Sequence, residues 1–302
     1  MDQLRALEVF VAIAEAGSFA GAARALSISP PSVTRIIGDL EEELGAVLLH
    51  RTTRLVTLTD VGQAYLADAQ RILADLVAAN DTARGAYSAP TGLLRITAPS
   101  LFGQYYVSPI ILDYLDRYPE VSVDAVFVDR VVNLIEEGLD LAVRIGHLED
   151  SSMMAAKVGE VRWMVCGCPS YFEEHGTPRE PKDLAQHRTI SIVPTPSALQ
   201  WRFADGATVR IRPRLAFSTI PAAIAAATSG WGLVRVLSYQ IGPMLGSGGL
   251  QTVLTEFELP PLPIHVVHGD GRRTSAKVRA FVDLAVDRLR ADPFLNSGQV
   301  PR

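Results

Sequence analysis

Cysteine is nearly absent from this chain: Cys166 and Cys168 are the two in 302 residues. Strand residues two apart share a face but are poorly placed to bridge each other, and no neighbouring Cys or His completes a metal set. Both thiols are therefore read as reduced core residues in preference to a metal or redox role. No apolar run reaches the roughly 18 residues that a membrane span needs. Met1-Asp2-Gln3-Leu4-Arg5 also lacks the basic flank and apolar core of an export signal. A cytoplasmic protein without membrane contact is expected. Catalytic fingerprints are missing too: no Gly-x-Ser-x-Gly elbow, Walker loop, Gly-x-Gly-x-x-Gly turn or His-Glu-x-x-His helix occurs, and the six histidines are scattered. No enzyme, metal or cofactor is expected.

Residues 1–90 contain no lysine. Their seven arginines against eleven acids leave the segment four charges negative, beside −5 for the whole chain. That balance argues against a strongly basic nucleic-acid binder, so any such reading must rest on where the charges sit. The 48% apolar content supports two or three domains with sizeable cores.

What is there is organised around Ala22–Arg35. Gly17 suits a left-handed helix end, and Ser18 can cap a short helix carrying Ala22, Ala23 and Ala25, small enough for a second helix to approach closely. Ser29 then reads as an N-cap with Pro30 at the first helical position. Ile28 and Val33 stand at the positions of a hydrophobic staple. The second helix buries Val33, Ile37, Leu40 and Leu44. Its other face shows Pro31, Ser32 and Arg35 first, with acids only from Asp39 onward. A recognition helix needs this order, because its first turns enter the major groove where a carboxylate would repel phosphate. An ordinary pair of packed helices would make the same corner. The segments on either side of it separate the two readings.

Residues 3–16 read as a supporting amphipathic helix with Leu4, Leu7, Val11 and Ala14 inward and Phe10 beside them. Residues 46–58 change period: Val47–Arg51 and Leu55–Leu58 read as strands around the tip Thr52-Thr53-Arg54, a β-wing suited to phosphate or minor-groove contact. Ser29, Pro31, Ser32, Thr34, Arg35, Arg51, Thr53 and Arg54 are the expected DNA contacts. From Asp60 a long helix repeats Tyr65, Ala69, Ile72, Leu76, Ala79 and Ala83 at a period of about 3.5 residues, which winds two helices together. No domain of its own is expected beneath it, so it reads as a dimerising linker. Ala89-Pro90-Thr91-Gly92 breaks it as a hinge. Beyond the hinge strands and helices alternate in the βαβ manner, with helices expected at Leu101–Arg117, Val131–Glu137, Ser170–His175, Pro221–Ser229 and Ser275–Arg290, and a hairpin at Asp205-Gly206.

The run Ala22–Glu41 resembles the DNA-binding segment of the LysR-type transcriptional regulators. The likeness lies in the Ala-Ala pair, Leu26, Ile28-Ser29, Val33-Thr34-Arg35, Ile37 and Leu40-Glu41; Pro30 stands where the family often has Gln, and Ile36 where it often has a polar residue. Arg51-Thr52-Thr53-Arg54, Gly138–Gly146 and Ser275–Phe281 resemble further family segments. The resemblance implies an α/β effector domain of two lobes, like type 2 periplasmic binding proteins, preceded by a mainly α winged helix-turn-helix domain and a long linker helix. It further implies homodimers that assemble into homotetramers on double-stranded DNA. The expected boundaries are 1–59 for the reading head, 60–88 for the linker helix, 89–92 for the hinge, 93–292 for the effector domain and 293–302 for a tail. The first lobe would hold 93–164 and 266–292, the second 165–265.

Ligands of open α/β sheets sit beyond the carboxyl ends of strands, often at helix N-termini. Ser100, Leu101 and Phe102 follow the first strand, Arg144 and Gly146 end another, and Thr219 and Ile220 begin a helix of the second lobe. These are the expected effector contacts, for a small organic anion, aromatic or dicarboxylic. Three of them have a plainer reading: capping for Ser100 and Thr219, a structural ion pair for Arg144. The function expected is a DNA-binding regulator modulated by that effector. The alternative is a solute-binding protein of the periplasmic type without DNA function, which leaves the corner, wing and linker helix unexplained.

Overall fold

The computed structural model describes residues 2–51, 56–84, 89–149, 152–192, 199–269 and 274–296. Helix α1 (Gln3–Ala16) starts at Asp2, whose carboxylate accepts the Arg5 N–H, and stops at Gly17 in the left-handed conformation, φ 62°. Its buried face is Ala6, Leu7, Val9, Phe10 and Ile13. The expected stripe is thus rotated: Leu4 stays exposed, whereas Phe10 is fully buried with its ring 5.6 Å from that of Tyr65. Helix α2 (Phe19–Ala25) is capped by the Ser18 hydroxyl, which accepts the Gly21 N–H at 3.1 Å. Ala22 and Ala23 are buried against α3 (Pro30–Leu44), where a longer side chain would hold the helices apart. The connecting turn passes through Ser27 at φ 53°.

Strands β1 (Leu49–Arg51) and β2 (Val56–Leu58) pair antiparallel with Leu49 opposite Leu58. The Glu41 carboxylate of α3 accepts the Leu48 and Leu49 N–H groups at 2.8 and 3.2 Å, which ties the β1–β2 hairpin to α3. Thr59 caps α4 (Asp60–Arg84) by accepting the Gly62 N–H at 2.9 Å. Gly62 lies so close to the wing that a Cβ there would meet the Leu48 carbonyl oxygen at 2.0 Å. The first half of α4 rests on the N-terminal helical domain: Ala69 is fully buried, and Tyr65, Leu66 and Leu73 join the same core. That corrects the expectation that nothing lies beneath this helix. Ile72, Leu76 and Ala79 nevertheless remain exposed on it.

The chain then builds two sheets. The first lobe opens with β3 (Gly92–Ala98), a three-residue α5 (Ser100–Phe102), a π-helical turn (Gly103–Val107) and α6 (Ser108–Arg117). It continues with β4 (Val121–Phe127), β5 (Leu141–Ile145) and β6 (Met154–Val161). Residues 134–138 form turns and 131–133 carry no regular structure, so the helix expected at Val131–Glu137 is absent. The run that ends at Gly138, itself in the left-handed region, is too short to sustain one. The second lobe comprises β7 (Trp163–Gly167), α7 (Pro169–His175), β8 (Thr189–Ile192), the hairpin β9 (Gln200–Arg202) and β10 (Thr208–Arg210), β11 (Leu215–Phe217), α8 (Ile220–Thr228), β12 (Leu233–Leu237), α9 (Gly242–Gly246) and β13 (Gln251–Val253). The chain returns to the first lobe with β14 (Leu262–His268), α10 (Ala276–Ala291) and α11 (Pro293–Asn296).

The first sheet runs β4-β3-β5-β14-β6 and the second β11-β8-β12-β7-β13. Two boundaries expected from sequence move accordingly. The lobes change at Arg162, between β6 and β7, because Trp163 already pairs with Leu237; Ile264 and His265 belong to the first sheet, paired with Ile145 and Arg144. The residues after 292 include α11, with Leu295 buried so tightly over Gly159 that a Cβ on the glycine would lie 2.9 Å from it. An ion pair spans the two crossovers: Arg162 Nη1 stands 3.9 Å from Glu258 Oε2. Burial raises the Glu258 carboxyl above its ordinary range, partly offset by Arg162.

Candidate functional site

At the corner between α2 and α3, local chemistry fixes the exposed face of α3. Ser29 Oγ accepts the Ser32 N–H at 3.3 Å and lies 2.8 Å from Ser32 Oγ, while Thr34 Oγ1 donates to the Pro30 carbonyl at 3.2 Å. These bonds hold the first turns of α3 in one shape. Pro31, Thr34 and Arg35 are exposed, and Ser32 is half-buried. Arg35 is 72% exposed and reaches Asp39 at 3.4 Å, a surface pair weak enough for a phosphate to displace. Arg24 is also exposed on α2. Acids nearby are turned to structural work: Glu41 holds the wing, and Glu43 accepts from the Gln3 side chain at 2.7 Å. Arg51 closes β1; its side chain, with Thr53 and Arg54, lies outside the described residues.

Between the lobes lies a cleft of about 1170 Å³. Its walls come from the carboxyl ends of strands in both sheets and from the connection 128–134. Arg144, Gly146 and Ile220 line it as the sequence suggests. Ser100, Leu101, Phe102 and Thr219 do not. The Ser100 N–H donates to Asp129 at 3.0 Å and its hydroxyl to the Phe127 carbonyl at 3.4 Å, so the loop after β4 uses what a ligand would need. Leu101 and Phe102 are buried in the lobe core. The Phe102 ring stacks on Tyr106 at 4.7 Å and meets Tyr239 edge-on at 5.3 Å, so it supports a cleft residue from behind. Thr219 is exposed at the start of α8, outside the lining.

Arg144 is half-buried and donates to the Val132 carbonyl. It forms no ion pair among the described residues, so the structural pairing weighed from sequence is not found there. From the second lobe Arg235 on β12, which sequence reasoning missed, lines the same cleft. Its guanidinium lies 5.4 Å from the Trp163 ring centroid and 5.6 Å from that of Phe203, and Nη2 donates to the Arg202 carbonyl at 2.9 Å. Burial lowers its pKa to about 10. The signal in sequence was a lone arginine inside the apolar strand Leu233-Val234-Arg235-Val236-Leu237, a costly placement unless a partner exists. Ser191, also missed, lines the same cleft. It is 2% exposed, and its hydroxyl has no partner among the described residues. Tyr239, with burial raising its pKa to about 12, accepts from Gln240 at 3.2 Å in the cleft floor. Asp129 and Glu149 bring acid to the first-lobe rim. No cluster of His, Cys or acids suited to a metal occurs among the described residues. Cys166 and Cys168 are buried and unbridged, and burial raises the Cys166 thiol to about 12.

Two family models match: a bacterial regulatory helix-turn-helix of the lysR family over residues 4–63, and a LysR substrate-binding domain over residues 88–290. An HTH-type transcriptional regulator of Xanthomonas campestris is 36% identical over 300 residues, covering 97% of this chain and 87% of that protein. Among solved structures, CrgA, a LysR-type transcriptional regulator from Neisseria meningitidis, superposes with a TM-score of 0.61 at 31% identity, covering 94% of this chain and 98% of that one. The Vibrio cholerae virulence activator AphB does so with a TM-score of 0.60 at 26% identity, covering 94% and 98%. The match to the helix-turn-helix model leaves no support for the solute-binding alternative. The winged corner, the two-lobed α/β domain and these likenesses lead to one conclusion: this chain belongs to the LysR family of DNA-binding transcriptional regulators, with an effector-binding domain after its reading head.

Proposed function

We propose that Ser29, Pro31, Ser32, Thr34 and Arg35 meet double-stranded DNA, with Arg51, Thr53 and Arg54 on the wing, and that a small organic anion in the interlobe cleft modulates that contact. The observation that carries the DNA half is the exposed first turns of α3, capped without a carboxylate and carrying Arg35 at 72% exposure. The anion half is supported by Arg144 and Arg235, two half-buried cleft cations without an ion pair among the described residues. An anion that touches both lobes changes their packing, and a coupling of roughly 1–3 kcal/mol suffices to change DNA affinity several-fold.

Paired heads follow from α4. Ile72, Leu76 and Ala79 recur along its exposed side, which a second copy of the helix would cover, giving a homodimer and, by pairing of dimers, a homotetramer. No single helix among the described residues is long and apolar enough to cross a membrane, which accords with a cytoplasmic regulator. The test is fluorescence anisotropy on the DNA upstream of the protein's own gene across a salt series. Arg35→Ala is expected to weaken specific binding roughly tenfold or more and to lower the salt slope by about 1. Equal affinity of Arg35→Ala and wild type would remove α3 from the DNA.

A further inference from the structure

We infer that Arg235 and Ser191 form a carboxylate seat in the second lobe of the cleft, and that the effector is a small acid with a flat apolar, aromatic body. This inference rests on the cleft being the effector site and names what the site selects.

The seat follows from strand register. Parallel pairing sets Leu233 beside Thr189 and Val234 beside Ile190, so the next step along both strands brings Arg235 beside Ser191. Both residues line the cleft. The two rings of Trp163 and Phe203 hold the guanidinium, and the Arg202 carbonyl takes one of its five N–H donors. What remains is a guanidinium edge fixed in direction, which suits two oxygens of a carboxylate better than a mobile lysine would. The residue already bears the desolvation that a ligand would otherwise have to impose, since burial alone lowers its pKa to about 10. A buried hydroxyl without a partner among the described residues completes the pattern, because a protein rarely leaves such a group idle. Folding does not require Ser191 Oγ: removing it would relieve an unsatisfied group.

The body of the ligand is read from the surrounding wall. Trp163, Trp201, Ile190, Ile192 and Leu237, all carried by strands of the second lobe, also line the cleft. Trp163 and Ile192 are the half-buried ones among them, the Trp163 ring gives a flat apolar face, and no further cation stands in this group, which disfavours a second carboxylate there. Arg144 stands on the other lobe and is engaged by the Val132 carbonyl, so its part is the closing contact rather than the seat.

The experiment uses the full-length protein with benzoate, its neutral counterpart benzamide, and succinate. Binding is read from tryptophan fluorescence, since Trp163 and Trp201 line the cleft, and from anisotropy of bound DNA. Benzoate is expected to bind, with benzamide and succinate roughly tenfold or more weaker. Arg235→Gln, which can keep the bond to the Arg202 carbonyl, is expected to weaken benzoate roughly tenfold to a hundredfold, and Arg235→Lys to restore part of it. Ser191→Ala is expected to weaken benzoate several-fold while leaving the unliganded melting temperature unchanged or higher, a pairing that a merely structural hydroxyl would not give. Benzoate binding equally to wild type and Arg235→Gln would overturn the seat and leave the cleft reading intact. So would tight binding of benzamide with a DNA response. Succinate matching benzoate would overturn the aromatic body. If none of the three probes alters fluorescence or DNA binding, the seat and the cleft reading fail together.

Discussion

The face of α3 proposed to read DNA comes from one uninterrupted run, Ser29–Arg35, whereas the cleft wall joins Thr97, Asp129, Arg144, Ser191, Arg235 and Tyr239 from strands and loops of two sheets. The first is shaped by bonds within four residues: Ser29 to Ser32 and Thr34 to Pro30. The second is shaped by crossovers, since the two arginines that face it lie on different lobes. A locally built face is rigid in itself but depends on what it is mounted on. A face assembled from two lobes is free to change when the lobes move. A regulator needs both: a fixed reader and a deformable sensor.

The largest expected effect comes from dislodging the reader's mount. Gly62→Ala puts a methyl at 2.0 Å from the Leu48 carbonyl oxygen, an overlap with backbone that no rotamer relieves. It should cost the reading head about 3 kcal/mol or more. Amide hydrogen exchange is the check: protection should fall across residues 3–73 and hold across 92–296. Equal loss in both regions would mean that the two fold as one unit and would break the comparison.

Next comes Glu41→Ala. The carboxylate accepts two N–H groups of the wing, and removing it leaves both unpaired at a cost of about 2 kcal/mol. Glu41→Gln keeps an acceptor and should recover part of that. DNA affinity should follow the same order, wild type above Gln above Ala. A wing that binds DNA as well in Glu41→Ala would show that the tie to α3 serves stability alone.

The sensor side has a pH signature. Burial raises the Glu258 carboxyl above its ordinary 4.5, so the folded domain takes up this proton more readily than the unfolded chain. The charge therefore costs nothing below about pH 4.5 and increasingly destabilises the fold as pH rises through the raised pKa. Glu258→Gln should raise the effector domain's melting temperature at neutral pH and lose that advantage in acid. A destabilised variant at neutral pH would instead make the Arg162 pair across the crossovers the dominant interaction.

How much of this could be read from the chain follows the same division. The caps at Ser18 and Ser29, the left-handed Gly17, the joint burial of Ile28 and Val33 and the pairing of the wing strands were all legible, because each depends on neighbours a few positions away. The surroundings of Ser100 and Phe102 were not legible for the opposite reason. A hydroxyl at a helix start looks available until Asp129 arrives from beyond another strand, and an aromatic after a strand looks like a ligand platform until Tyr239 of the other lobe covers it. Arg235 and Ser191 were hidden because their adjacency is a matter of register between strands more than forty residues apart. The exposed stripe on α4 was only half right, since Tyr65 and Ala69 turn to the reading head and leave the later positions outward.

The smallest effect expected is the most informative about the reader. Ser27 sits at φ 53° in the turn between α2 and α3, a conformation that costs a non-glycine residue of order 1 kcal/mol. Ser27→Gly removes that strain but adds freedom to the unfolded chain, so the net gain should stay below about 1 kcal/mol. Its side chain is exposed, so packing is unaffected. If the turn merely connects the helices, stability rises slightly and DNA affinity is unchanged. If a stiff turn is what aims α3, glycine lowers affinity while stability holds, because more of the ensemble points the helix away from the groove. Chemical denaturation beside anisotropy separates the two. Unchanged affinity is expected, since the caps at Ser18 and Ser29 and the buried Ala22-Ala23 contact already fix the angle between the helices.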